Sequence, residues 1–204
     1  MKENSLEITK YIQIARKRHK EGNIYQANEI YKNLINQKIY TYDLLISYGL
    51  FCKEINNLKI AKNLFILSIK KYPLKINSYI LLAEIFRIEN NIEHALKTLH
   101  EAKKIDKYNS DIDYNLSITH KAIKSFNDAI CFIDSAIKLQ PKNQIYKILK
   151  ADILIESFQN ERAKELLLKL KLPKDSLLFF QKEILISKLF INQKKYILAE
   201  KVLL

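Results

Sequence analysis

The sequence predicts an all-α protein built from stacked antiparallel helix pairs, and three observations predict it. Alanine recurs at Ala27, Ala61, Ala95, Ala129 and Ala163, each 34 residues after the last, with Ala199 following after 36. Twelve residues ahead of each stands a second small residue, at Ala15, Gly49, Ala83, Ser117, Ala151 and Ser187, with the same gaps. Each pair of small residues is split by a polar break: Glu21-Gly22-Asn23, Asn56-Asn57, Asn90-Asn91, Lys124-Ser125, Gln159-Asn160 and Gln193-Lys194. Two glycines and three prolines in 204 residues are too few turn formers for an all-β domain, so short polar connections between helices are the economical reading.

The period divides the chain into units at 8–41, 42–75, 76–109, 110–143 and 144–177, the last with an irregular end, and a truncated sixth at 180–204, as one array spanning 1–204. The third unit displays the pattern most openly. Its first helix carries Tyr79, Leu82, Ala83 and Phe86, and its second Ile92, Ala95, Leu99 and Ala102, both as amphipathic stripes. Two antiparallel helices joined by a tight turn cross closely, and the side chain at the crossing sets their separation. Ala83 and Ala95 let the surfaces meet, while Phe86 and Leu99 fill the space beside the contact.

The fourth unit opens on Asn109-Ser110, followed by Asp111 and Asp113, acidic residues suited to the positive end of a helix dipole. In the fifth unit Lys147 and Lys150 replace apolar residues, and "LKLKLPKDS" from Leu168 to Ser176 holds the two-residue insertion. A distorted fifth unit, with the stack bending or loosening before the sixth, is therefore expected. The sixth stops at Val202-Leu203-Leu204 without a polar cap. That predicts either self-association through Leu203 and Leu204 or a chain cut from something longer.

This pattern resembles the tetratricopeptide repeat, a helix-turn-helix unit of the same period. The large residue at the twenty-fourth place of each unit reads Tyr31, Phe65, Leu99, Ile133, Leu167 and Leu203, and the proline near the unit's end appears as Pro73 and Pro141. "GNIYQANEIY" from Gly22 and "NNLKIAKNLF" from Asn56 look like family members at the turn into the second helix, whereas Arg18 replaces an expected aromatic. The resemblance implies a right-handed α-solenoid, a superhelix with a concave groove lined by first helices. The opening repeat is also similar to bacterial arms that precede a sulfotransferase or glycosyltransferase domain, which this sequence lacks.

In the family, first-helix places two, five, nine and twelve face the groove. Place five reads Ile12, Ile46, Ile80, Tyr114, Ile148 and Ile184, and place nine Arg16, Leu50, Glu84, Ile118, Asp152 and Lys188. The apolar row either packs repeat on repeat or receives an amphipathic helix or extended peptide. The resemblance accordingly implies a partner-binding groove at Ile46, Leu50, Ile80, Glu84, Arg87, Tyr114, Ile118 and Lys121. The lysine and asparagine clamp that some family members close on chaperone tails has no counterpart, since Ile12, Arg16 and Ser47 hold the early places and Asn115 stands alone.

Other functions find less support. No nucleophile elbow or Walker-type loop occurs. His19, His94, His100 and His120 include no pair at a spacing that aims two imidazoles at one metal, so no metal, cofactor or catalytic residue is expected, and His120 is expected in a core or interface. Cys52 and Cys131 have no CxxC spacing and are expected to be reduced, core-lining thiols. The net charge of +13 invites nucleic-acid binding. Asp43, Glu84, Asp111 and Asp152 at groove places would repel a phosphate backbone, leaving Lys62, Lys70, Lys71, Lys103 and Lys104 on second helices as contacts for weak, non-specific RNA or DNA binding. With no signal core after Met1 and no apolar stretch long enough to span a bilayer, a cytoplasmic, non-catalytic protein-interaction scaffold is the expected function.

Overall fold

The computed structural model describes residues 2–193, with side chains from residue 6 onward. The sequence expectations for Lys194, Ala199, Val202, Leu203 and Leu204 lie outside the described residues. Within them the chain forms eleven helices and no strand: α1 (Lys2–Lys20), α2 (Ile24–Asn36), α3 (Tyr42–Glu54), α4 (Leu58–Lys71), α5 (Ile76–Ile88), α6 (Ile92–Ile105), α7 (Ser110–Ala122), α8 (Phe126–Leu139), α9 (Gln144–Glu156), α10 (Asn160–Lys169) and α11 (Leu177–Asn192). The helices α3, α5, α7 and α9 begin at the residues where the 34-residue period restarts, while α1 begins six residues ahead of Ile8. Two compact units divide the chain, Met1–Ile105 with α1 to α6 and Asp106–Leu204 with α7 to α11.

The turn inside each pair repeats one device. Gly22, Asn56, Asn90, Lys124 and Phe158 all have positive φ, and they stand 34 residues apart. At each, the next residue's amide reaches back across the last helical turn, as Asn57 N does to Cys52 O at 2.7 Å and Asn91 N to Phe86 O at 2.7 Å. These bonds satisfy the orphan carbonyls of the first helix and fix the angle at which the second leaves. In the fifth repeat the left-handed position falls on Phe158, one residue before the polar break that the sequence suggested. A bulky exposed side chain is strained there, so Phe158→Gly is expected to raise stability by about 1 kcal/mol, read as an upward shift in a melting or urea curve.

The two small-residue series are what the helix crossings are made of. Ala15, Ala27, Ala61, Ala83, Ala95, Ala129, Ala151 and Ala163 are wholly inaccessible to solvent, as are the partners Phe65, Leu99 and Ile133. Ser117 takes the same kind of place, and its buried hydroxyl donates to the Ala129 carbonyl at 2.8 Å, so the polar atom is satisfied. Ala95 is shut off from solvent at the α5–α6 crossing. Ala95→Leu is expected to overpack the α5–α6 crossing at a cost of about 2 kcal/mol, measurable by chemical denaturation.

In the first unit α1 packs on α2 and α3, and α4 on α3 and α5, around a core that runs from Ile12 through Phe51 and Phe65 to Ile85. Aromatic rings thicken it, with Tyr31 stacked on Tyr48 at 5.0 Å. In the second unit α8 packs on α7 and α9, and α9 also meets α10 and α11. Polar contacts join its helices as well as apolar ones. Asp113, fully inaccessible, accepts from Ser135 at 2.6 Å, and Tyr146 donates to Asp111 at 2.7 Å.

Two sequence expectations need correction. Cys52 is buried, and burial pushes its thiol up to about 12, but Cys131 is exposed because it faces outward on α8. The fifth repeat is not distorted at its first helix: α9 has the same 13-residue length as α3, α5 and α7, with Lys150 turned to Asp134 at 2.6 Å. The irregularity is confined to its second helix, which stops after 10 residues and leaves residues 170–176 non-helical.

Candidate interaction surfaces on the first helices

Charged residues stand at several of the groove places, and the structure joins them to one another. In the first unit Arg16 donates to Asp43 at 2.7 Å and to Ser47 at 2.5 Å, and Lys53 donates to Glu84 at 2.8 Å. In the second, Lys121 bridges Asp152 and Glu156, the latter at 2.9 Å, and Lys188 reaches Asp152 at 3.2 Å. The Lys53–Glu84 and Lys121–Asp152 bridges both span 31 residues, from place twelve of one first helix to place nine of the next. Burial alone pulls the Lys121 ammonium down, but hydrogen bonds and attraction to the two carboxylates outweigh it and hold its pKa above the ordinary lysine value. These charges tie neighbouring repeats together.

The eight groove residues expected from the sequence therefore divide. Ile46 is only 8% exposed and belongs to the core. Glu84 and Lys121 are committed to ion pairs, and Ile80, Arg87 and Ile118 are half-buried. Leu50 lines a first-unit concavity of mixed character, with Tyr31 and Phe51 beside Arg16, His19, Lys20, Ser47 and Glu54. Tyr114 lines a different one in the second unit.

That second concavity, of about 320 Å³, opens between α7, α9 and α11. Its wall is Tyr114 from α7, Ile145, Ile148, Leu149 and Asp152 from α9, and Gln181, Ile184, Leu185 and Lys188 from α11. Ile145 and Ile184 remain 47% and 48% exposed. Helical spacing explains why they meet: Ile145, Ile148 and Asp152 lie on one face of α9, as Gln181, Ile184 and Lys188 do on α11. Asp152 and Lys188 in its wall are paired with each other, and the remaining lining is apolar apart from Gln181 and the Tyr114 hydroxyl. Ile145, Gln181, Ile184 and Lys188 were absent from the expected site, although Ile148 and Ile184 stand in the place-five row.

Of the histidines, His19 packs edge-on against Phe51 at 4.9 Å, His94 contacts Asn91 at 2.8 Å and His120 stacks on Phe132 at 5.3 Å. No group of three metal-ligating side chains gathers among the described residues.

Comparison with solved structures decides the fold. A tetratricopeptide repeat protein from Parabacteroides merdae superposes with a TM-score of 0.81 at 14% identity, over 98% of this chain and 77% of that one. The chain has the tetratricopeptide-repeat fold. Pseudomonas aeruginosa pilF matches it with a TM-score of 0.72 at 15% identity, over 96% of this chain and 88% of its own. A tetratricopeptide repeat protein of Thermus thermophilus matches with a TM-score of 0.73 at 12% identity, over 88% of this chain and 98% of that one. No family model and no curated protein matches the sequence. The likeness lies in the fold, at 12 to 15% identity with these structures. No described helix is long and apolar enough to cross a membrane.

Proposed function

We propose that this chain is a non-catalytic protein-interaction scaffold, and that the concavity between α7, α9 and α11 receives a peptide or helix presenting apolar side chains. The observation that supports this reading most is the pair of half-exposed isoleucines, Ile145 and Ile184, set beside Tyr114 and Ile148 in a recess whose charges are already paired. Exposed apolar surface grouped in a recess marks an interaction site more often than scattered leucines do. Isoleucine and leucine walls, with the charges of Asp152 and Lys188 paired, suit anchors such as leucine or phenylalanine better than an acidic or basic tail. The repeats at 8–41 through 180–204 are proposed to act as one scaffold, working in the cytoplasm.

Selection of a random-peptide display library on the immobilised full chain tests this. The expected outcome is a consensus rich in large apolar residues whose binding slows hydrogen exchange in α7, α9 and α11. Absence of any enriched sequence, or protection confined to the first unit, would overturn the proposal.

A second reading, non-specific nucleic-acid binding through second-helix lysines, is weaker than the charge suggests. Lys62 donates to both oxygens of Glu89 at 2.7 Å, which removes it from the set.

A further inference from the structure

A different face of the first unit carries a feature that the repeat does not require. Between α4 and α5 the chain turns through Tyr72, Pro73, Leu74 and Lys75, closed by Lys75 N to Tyr72 O at 3.0 Å and held by the Tyr79 hydroxyl on the Pro73 carbonyl at 3.0 Å. The turn's tip is Leu74, 77% exposed. Behind it the Tyr72 hydroxyl donates to the Tyr40 carbonyl at 2.9 Å, and the Tyr42 and Tyr72 rings meet edge-on at 5.7 Å. Lys71 lies over the Tyr40 ring at 5.0 Å and Lys75 over the Tyr42 ring at 5.5 Å. Lys38, exposed at positive φ, lines the same shallow hollow as Tyr40, Lys71 and Tyr72, and Lys70 precedes them on the last turn of α4.

Four lysines are thus gathered at one edge, and none has a carboxylate within ion-pairing distance among the described residues. Elsewhere on the first unit Arg16, Lys53 and Lys62 each have one. The equivalent turn of the second unit, Gln140 to Asn143, closes in the same way at 3.1 Å, yet has Gln140 in place of Tyr72 and Lys142 in place of the leucine. Turn geometry alone therefore asks for neither the bare leucine nor the tyrosines.

We propose that this edge docks on an anionic lipid surface, with Leu74 entering the acyl boundary and Lys38, Lys70, Lys71 and Lys75 meeting headgroup phosphates. An apolar tip ringed by basic side chains, with tyrosines at the level between, is the composition that an interface of hydrocarbon, headgroup and water selects. Single-stranded RNA fits less well, because base stacking needs open ring faces and lysines lie over the faces of Tyr40 and Tyr42.

The test is sedimentation of the full chain with phosphatidylcholine vesicles, with and without phosphatidylglycerol, beside binding to an oligouridylate. The wild type is expected to bind only the phosphatidylglycerol vesicles, and less so as salt rises. Lys70→Glu with Lys71→Glu should weaken binding by about fivefold or more per lysine. Leu74→Ser leaves the charge intact and should weaken vesicle binding by roughly tenfold while leaving any oligouridylate binding unchanged. Because these side chains are exposed, melting temperatures of the variants should match the wild type. Equal binding to neutral vesicles, no binding to anionic ones, or vesicle binding indifferent to both sets of changes would overturn the proposal. Preference for oligouridylate over vesicles, with Leu74→Ser silent in both, would overturn it in favour of a nucleic-acid surface.

Discussion

Replacing Gly49 by leucine is expected to destabilise the protein by about 3 kcal/mol or more, the largest effect of any single change in the helix crossings. A Cβ built on Gly49 would lie 2.3 Å from Cε1 of Phe65 and 2.8 Å from its Cζ, far inside contact distance. Phe65 is wholly buried, so its ring cannot swing out into solvent to make way. The first and second helices of this repeat share their volume unequally, with glycine on one side because phenylalanine is on the other. In the third repeat the same two places hold Ala83 and Leu99, both wholly buried. Gly49→Ala separates packing from propensity. In an exposed helix that change stabilises by about 1 kcal/mol, whereas here the clash should reverse the sign. Denaturant titration reads both variants, and a Gly49→Ala protein more stable than wild type would contradict this account of the crossing.

The second large effect is expected at Asp152. It accepts from Lys121 on one neighbouring first helix and from Lys188 on the other, and its side chain is 20% exposed. Asp152→Ala strips one carboxylate from two ammonium groups, leaving Lys121 with Glu156 alone. The expected loss is about 2 kcal/mol, below the range for fully buried pairs because water still reaches these groups. The pH dependence has a definite sign. The Lys121 pKa is raised in the folded chain, so its contribution is fully present below the ordinary lysine value of 10.5 and is lost as pH rises through the higher folded value. The stability gap between wild type and Asp152→Ala should therefore be constant through neutral pH and shrink above pH 10.5. A gap that instead widened there would show that Lys121 takes no stability from the bridge.

How much of this was legible depended on whether a position answers to the backbone or to its neighbours. The 34-residue period sets helix starts because capping and left-handed turns are local, so Tyr42, Ile76, Ser110 and Gln144 announce their helices in the sequence. Asn56 and Asn90 announce their turns for the same reason. Phe158 does not, because phenylalanine reads as core and only the phase of the repeat places it at positive φ. Groove charges were legible as charges but not as pairs. Lys53 with Glu84 and Lys121 with Asp152 are joined only when place twelve is set against place nine of the following unit. The recess at Ile145 and Ile184 was obscured by Lys147 and Lys150, which suggested a distorted helix. In fact α9 is regular, and Lys150 turns to Asp134, leaving the isoleucine face undisturbed.

The second-unit recess is proposed to bind an apolar peptide. Its most direct test is the affinity of the best display-selected peptide, measured by fluorescence anisotropy for wild type, Ile184→Glu and Ile66→Glu. Ile66 is as exposed as Ile184 but lies on a second helix of the first unit, away from the recess. The account predicts at least roughly tenfold weaker binding for Ile184→Glu and none lost for Ile66→Glu, as expected when one buried apolar anchor is replaced by a charge. Equal affinity in all three proteins would contradict it.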